Sequence, residues 1–274
     1  MWEADGFAEA AKKDFVLVSL DFPQGAELKA KIPNPKRNDE LKKKYGIRGY
    51  PTVLVMTPDG EVFGKTGYAR GGPEPYLENL RKISSAGKAD LKDVKKLTKA
   101  LDGTKGNKRN RALDAIIAKL NSMDPESPFI ATLADVVSEV YPNAKGKRRE
   151  ACVEALVNVG RVDSDILAAA KEIDFDGSKG LWAKAVNSLA EGVNSDETFE
   201  IAYNAITELF TKSKDVAKNP GASLCQKMSI WSFRMKDDEA AAVMWAERGL
   251  AMILDSDDPN DERLREFFED MLEE

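Results

Sequence analysis

The hydrophobic pattern of this 274-residue chain changes near Ser85, and this change constrains the fold more than any other feature. Before Ser85, short β-favouring runs alternate with helical patterns. After it, apolar residues recur at helical spacing and almost no strand signal is present. A chain of this length suggests about two domains. The sequence therefore predicts an α/β domain over residues 1–85 and an all-helical domain over residues 86–274, with residues 84–90 as the linker.

Two nearly continuous apolar runs predict strands in the first part. They cover residues 15–22 and 52–56. Such runs are typical of strands that are covered on both faces of a sheet. Pro58-Asp59-Gly60 predicts a turn into a returning strand, which begins at Glu61. Pro73 then predicts the start of an amphipathic helix.

The second part predicts ten consecutive helices that are separated by glycine and proline. The predicted helices cover residues 89–101, 108–121, 127–140, 147–159, 164–173, 179–192, 196–212, 222–235, 238–254 and 260–272. Short loops between antiparallel helices favour a helical bundle or an α-solenoid. Residues 238–259 resemble the second helix of a tetratricopeptide repeat, but the first-helix pattern is missing upstream. A generic helical domain and a repeat array therefore both stay open.

The chain contains no histidine and only two cysteines, Cys152 and Cys225. The lack of histidine excludes Ser–His and Cys–His catalytic pairs. Because no CxxC motif exists, the chain cannot build a redox dithiol, and we expect no metal and no cofactor. Both cysteines lie in apolar helical patterns, which favours buried thiols. A disulfide between them is the alternative for an exported protein.

Charge argues against a polyanionic partner. The formal net charge is −6, and the last 20 residues, Asp255 to Glu274, carry 10 acidic and 2 basic residues. The basic clusters at residues 92–111 and 145–149 contain no interleaved aromatic residues, so we expect no nucleic-acid binding. No apolar run approaches the ~20 residues that span a bilayer, so we expect no membrane partner.

Residues 45–68, YGIRGYPTVLVMTPDGEVFGKTGY, resemble the thioredoxin superfamily. The similarity extends over residues 2 to about 85 and is greatest to bacterial thioredoxin-like proteins in which a WCxxC helix is followed by a long VDFP loop. It implies a thioredoxin-like α/β fold and a cis peptide bond before Pro51. It also implies that an extended peptide or a protein substrate binds at the cis-proline loop. The residues of that loop are Gly49, Tyr50, Pro51 and Thr52.

The resemblance also implies two features that the sequence lacks. The WCxxC motif would begin the helix whose last turns match Trp2 to Lys13, and a central strand would precede that motif. We therefore expect an N-terminally truncated chain with no catalytic residues and no redox activity as given. Without the central strand, residues 15–22 and 52–56 would have two rows of backbone groups without partners. A signal in the missing segment would imply a periplasmic or exported protein.

Three functional hypotheses follow. The first is a fragment of a bacterial thiol-disulfide oxidoreductase. The second is a redox-inactive thioredoxin-like binding module. The third is a helical-repeat, tetratricopeptide-like adaptor, in which the helices from residue 91 onward bind a protein partner.

Overall fold

The computed structural model describes residues 6–213 and 216–273. Over these residues the chain forms thirteen α-helices, one short 3₁₀-helix and one sheet of two strands. The described part divides into two compact units. The first unit runs to Ala112 and includes Met123–Thr132. The second unit comprises Leu113–Ser122 and the chain from Leu133 onward.

The elements are numbered in chain order. Up to residue 101 they are α1 (Phe7–Ala11), α2 (Ala26–Lys29), α3 (Pro35–Lys44), β1 (Val53–Met56), β2 (Val62–Thr66) and α4 (Pro73–Leu101). After residue 101 they are α5 (Gly106–Ser122), α6 (Ile130–Val140), the 3₁₀-helix Tyr141–Asn143, α7 (Lys147–Asn158), α8 (Ser164–Ile173), α9 (Leu181–Glu191), α10 (Asp196–Lys212), α11 (Lys218–Lys236), α12 (Glu239–Ile253) and α13 (Pro259–Glu273).

The predicted hairpin is confirmed. β1 and β2 pair antiparallel, and the Thr57 N–H donates to the Glu61 carbonyl at 2.9 Å to close the turn. Val55 lies opposite Gly64 and Met56 opposite Val62, so the register shifts by one residue at a β-bulge. β-branched residues favour the extended backbone of this hairpin, and α4 packs on both strands.

The predicted linker at residues 84–90 is wrong, because these residues lie inside α4. The small residues in this segment allow α4 to pack closely on the hairpin and do not make the chain flexible. A Cβ atom added at Gly87 would lie 2.0 Å from the Phe63 carbonyl oxygen, so only glycine allows α4 to approach β2 this closely. At Gly64 an added Cβ would lie 2.2 Å from the Ile83 side chain. The helix and the hairpin therefore fit together through two glycines.

The predicted thioredoxin-like α/β fold is wrong. The described residues are mostly helical, and their only sheet is the two-stranded β1–β2 hairpin. The apolar run at residues 15–22 has no regular secondary structure, because a strand requires a neighbouring strand to which it can hydrogen-bond. The predicted N-terminal helix appears only as α1, and Trp2 lies outside the described residues.

The ten predicted helices of the second part are confirmed to within a few residues, the first of them as the second half of α4. In the second unit, consecutive helices from α7 to α13 pack on each other. Next-but-one helices also pack, in the pairs α7–α9, α9–α11 and α11–α13. This pattern is that of a two-layered array, which is compatible with the predicted helical bundle or α-solenoid. Among its largest buried side chains are Trp182, Leu209, Leu224 and Phe268.

Two polar features stabilise this array. The buried Asp174 carboxylate accepts hydrogen bonds from the backbone N–H groups of Lys179, at 2.8 Å, and Trp182, at 3.1 Å. These bonds fix the backbone at the start of α9. Glu208 of α10 pairs with Lys171 of α8, at 2.7 Å, and with Lys212 one turn along. These two ammonium groups lower the pKa of the Glu208 carboxyl.

Candidate functional site

The predicted substrate-binding residues Gly49, Tyr50, Pro51 and Thr52 lie together in the loop that enters β1. The Tyr50–Pro51 peptide bond is cis, which confirms the conformation expected from the resemblance. The Thr52 hydroxyl donates to the Gly49 carbonyl at 2.7 Å and closes the loop on itself. The Tyr50 side chain is 52% exposed, and Pro51 is exposed beside it.

An aromatic pair joins this loop to the apolar run at residues 15–22. The rings of Phe22 and Tyr50 stack with centroids 5.2 Å apart and planes inclined by 25°. The Lys42 ammonium of α3 lies over both rings, 5.8 Å from the Phe22 centroid and 5.4 Å from the Tyr50 centroid. The Asn38 amide of α3 donates to the Asp21 carbonyl at 3.3 Å. Together these contacts fix one end of the run against α3 and the loop.

A groove of about 910 Å³ lies between the run and the loop. Its volume falls in the range of about 300–1,000 Å³ that is typical of ligand sites. Residues 17–22 line one side, residues 50–53 line the other, and the buried Phe7 ring of α1 also contributes. Of the described residues that line it, only Asp21 is charged. The groove is therefore mainly apolar, and a charge placed in it would have little compensation.

The sheet has an open edge on the side of β1 away from β2. The Thr57 N–H points to β2. The Pro51 carbonyl does so too, since its oxygen would lie only 3.1 Å from a Cβ atom added at Gly67. Because peptide groups alternate between the two edges of a strand, the backbone groups of Thr52, Leu54 and Met56 point to the other edge. Within the described residues no strand pairs with that edge.

The facing run at residues 16–20 also has no backbone hydrogen-bond partners among the described residues. Residues 16–20 form no backbone hydrogen bond in the part of the chain that the structure describes. Their apolar side chains are unusually accessible: Val16 is 93% exposed, Val18 78%, Leu17 48% and Leu20 40%. An apolar segment with such exposure commonly marks an interaction surface. These residues belong to the strand that the sequence predicted, so its apolar pattern was informative although the strand itself did not form.

The two cysteines supply no redox centre. Cys152 lies in α7 and Cys225 in α11, and both are free, buried thiols, so the disulfide considered for an exported protein is absent. Burial raises the pKa of Cys152 to about 11 and the pKa of Cys225 to about 12. Because the thiolate is the reactive species, both groups are inert near neutral pH.

Other parts of the described chain offer weaker candidates. A cavity in the second unit is lined by Arg149, Glu172 and their neighbours, but Arg149 and Glu172 already form an ion pair at 3.0 Å. Among the described residues, no three His, Cys, Asp or Glu side chains are placed to hold a metal ion. No helix in the described ranges is long and apolar enough to cross a bilayer. The groove beside β1 is therefore the candidate site.

Comparisons with models of protein families, with curated proteins and with solved structures gave no match. The functional argument therefore rests on the groove and the residues around it.

Proposed function

We propose that this protein binds an extended segment of another polypeptide along the open edge of β1. The observation that carries the proposal is the edge itself, where Thr52, Leu54 and Met56 direct their backbone groups away from β2. An extended peptide adds to such an edge through main-chain hydrogen bonds. The neighbouring apolar groove supplies the contacts for its side chains. The cis-proline loop, with residues 50–53, lines one side of the groove.

Binding and not redox chemistry is the proposed activity. A thiol-disulfide exchange requires an accessible thiolate, and both thiols of this chain are buried with raised pKa values. The proposal is therefore a redox-inactive binding module. This module recognises the backbone shape of its partner more than any particular side chain, because β1 offers hydrogen-bonding groups and the groove offers apolar surface.

The test uses a fluorescein-labelled nonapeptide, Lys-Lys-Val-Thr-Val-Ile-Val-Lys-Lys, with blocked ends. We call this peptide the strand probe, and its binding to the full chain is followed by fluorescence anisotropy. We expect saturable binding. A second peptide with proline in place of the central valine should bind at least about tenfold more weakly, because proline removes an N–H donor and disfavours the strand.

A pair of protein variants locates the binding. Val18→Lys places a charge in the groove, and because Val18 is 78% exposed the variant should fold normally. We expect this variant to lose most of its affinity for the strand probe. The matched control is Leu254→Lys, at a residue that is 63% exposed in the second unit. Absence of saturable binding, or equal affinities for the two variants, would refute the proposal.

The helical array is the second candidate site, as an adaptor for a protein partner. The observation that favours it is the packing of next-but-one helices, since repeat arrays of this kind present extended binding surfaces. The first helices of the successive pairs begin at Lys147, Leu181 and Lys218, close to the ~34-residue period of tetratricopeptide repeats. If the strand probe bound equally well to Val18→Lys and wild type but not to a variant with a charge on this array, the adaptor function would be favoured.

A further inference from the structure

Residues 26–48, which contain α2 and α3, have a charge opposite to that of the rest of the chain, and we call them the basic segment. The segment holds eight basic and three acidic residues, a net charge of +5, whereas the whole chain carries −6. The other residues therefore carry −11. The basic residues are Lys29, Lys31, Lys36, Arg37, Lys42, Lys43, Lys44 and Arg48, of which only Lys42 is half-buried and the others are exposed.

These eight cations have no acidic partner within the protein. None of them forms an ion pair with a carboxylate of the described residues. In the second unit, by contrast, Arg148 pairs with Asp114 and Lys227 with Glu191. The positive charge of the basic segment is therefore available to a ligand.

Two of the cations lie where they do not stabilise their own helix. Lys36 and Arg37 occupy the first turn of α3, which contains no acidic residue, and a positive charge at that end opposes the helix dipole. The lysines of the last turn complement the dipole instead. Helix stability therefore does not explain Lys36 and Arg37, whereas a negatively charged ligand would.

The basic segment adjoins the groove. A cleft of about 170 Å³, lined by Lys29 and Lys42, shares Asp21, Phe22 and Tyr50 with the groove. The cleft is smaller than the ~300 Å³ of the smallest typical ligand sites, so it suits part of a longer ligand and not a separate small molecule.

A chain that leaves the groove at Tyr50 can reach the exposed side of α3. Asp21 and Asp39 balance Lys29 and Lys42 within the cleft, so the surplus positive charge lies outside it. Three or four extended residues span ~10–13 Å, and a helix with its side chains is ~10–12 Å across. A short flank of the bound peptide is therefore long enough to contact the exposed cations.

The distribution of charge favours an acidic polypeptide over a larger polyanion. Carboxylates form charge-assisted hydrogen bonds with lysine and arginine. A short flank contacts only the basic segment, since charges more than ~8 Å away are largely screened at physiological salt. A membrane surface or a nucleic acid would extend over more of the protein, whose remaining residues carry −11 and would repel it.

We propose that the polypeptide ligand carries an acidic flank beside its extended segment, and that this flank binds to the exposed cations of the basic segment. The inference rests on the proposed function and adds a charge requirement that the edge of β1 does not impose. The extended segment pairs with β1, and the flank decides which extended segments are preferred.

Peptides that differ only in their flanks test this requirement. The neutral probe has serine in place of the four lysines of the strand probe, and the acidic probe has glutamate there. Anisotropy is measured at about 0.01 M salt, where the Debye length is ~30 Å, and at about 1 M, where it is ~3 Å. We expect the acidic probe to bind at least about fivefold more tightly than the neutral probe at low salt, and within about twofold of it at high salt.

Two double variants locate the contact. Lys36→Gln with Arg37→Gln removes two exposed cations that oppose the helix dipole, so α3 should stay folded. This variant should lose most of the preference for the acidic probe and keep its affinity for the neutral one. The matched control is Lys145→Gln with Lys147→Gln, which changes the net charge equally at exposed residues of the second unit and should keep the preference.

The possible failures are distinguishable. Equal binding of the acidic and neutral probes at low salt would overturn the inference and leave the proposed function intact. A preference that persisted in the α3 variant, or was lost equally in both variants, would also overturn it. Absence of binding by either probe would refute the proposed function as well. Binding to phosphatidylserine vesicles that the acidic probe does not displace would make a membrane surface the occupant and contradict the inference.

Discussion

Truncation of Val18 is expected to weaken peptide binding while leaving the free protein equally stable. Val18 is 78% exposed before binding, so most of its side chain is available to be covered by a ligand. Val18→Ala removes two carbon groups, each contributing about 0.8 kcal/mol when buried. Scaling by the exposed fraction gives a loss of roughly 1.2 kcal/mol, which is about eightfold in the dissociation constant.

Fluorescence anisotropy with the strand probe measures this loss, and urea unfolding measures stability. The free energy of unfolding should change by less than about 0.5 kcal/mol, as for other exposed substitutions. The matched control is Val243→Ala, in α12 of the second unit, which should change the dissociation constant by less than twofold. An unchanged affinity of Val18→Ala, or a large loss of stability in the free protein, would refute the reasoning. Either result would mean that the Val18 side chain is not exposed in the free protein and buried by the bound peptide.

Three further predictions concern the second unit. Gly249→Ala should lower the free energy of unfolding by about 1–3 kcal/mol, because the added Cβ would lie 2.2 Å from the Phe268 ring. The exposed control Ala251→Gly should lower it by about 1 kcal/mol, and stabilisation by Gly249→Ala would contradict the packing. The two buried cysteines should not react with a thiol reagent at pH 8 until urea unfolds the chain, and rapid labelling of the native protein would be the contrary result. Glu208→Gln should make unfolding less sensitive to acid, since a carboxyl with a lowered pKa stabilises the fold above its ordinary value of 4.5 and loses this contribution as the pH falls; equal pH profiles would refute this.

The helices were predictable because their signals are local. Helix α8 begins at Ser164 after the capping residue Asp163, and the sequence predicted both of its ends. The β1–β2 hairpin was predictable for the same reason, since Pro58-Asp59-Gly60 specifies its turn. The cis bond before Pro51 followed from the family resemblance and not from the residues themselves.

The errors arose where the outcome depends on distant parts of the chain. The run at residues 15–22 has the composition of a strand, but a strand forms only if a neighbour pairs with it. Gly87 gave the appearance of a flexible linker, whereas its role is to let α4 approach the Phe63 carbonyl. The groove was only half predicted. The loop at Gly49–Thr52 was identified, but the exposed side of the groove at Leu17–Leu20 was interpreted as a buried strand.

Amide hydrogen exchange of the full chain, with and without saturating strand probe, tests the central claim most directly. In the free protein the N–H groups of Thr52, Leu54 and Met56 point to the open edge of β1, have no strand partner among the described residues and should exchange rapidly. The account predicts that the probe slows exchange of these three residues. If Thr52, Leu54 and Met56 still exchanged rapidly while anisotropy showed the probe to be bound, the open edge of β1 would not be the binding site.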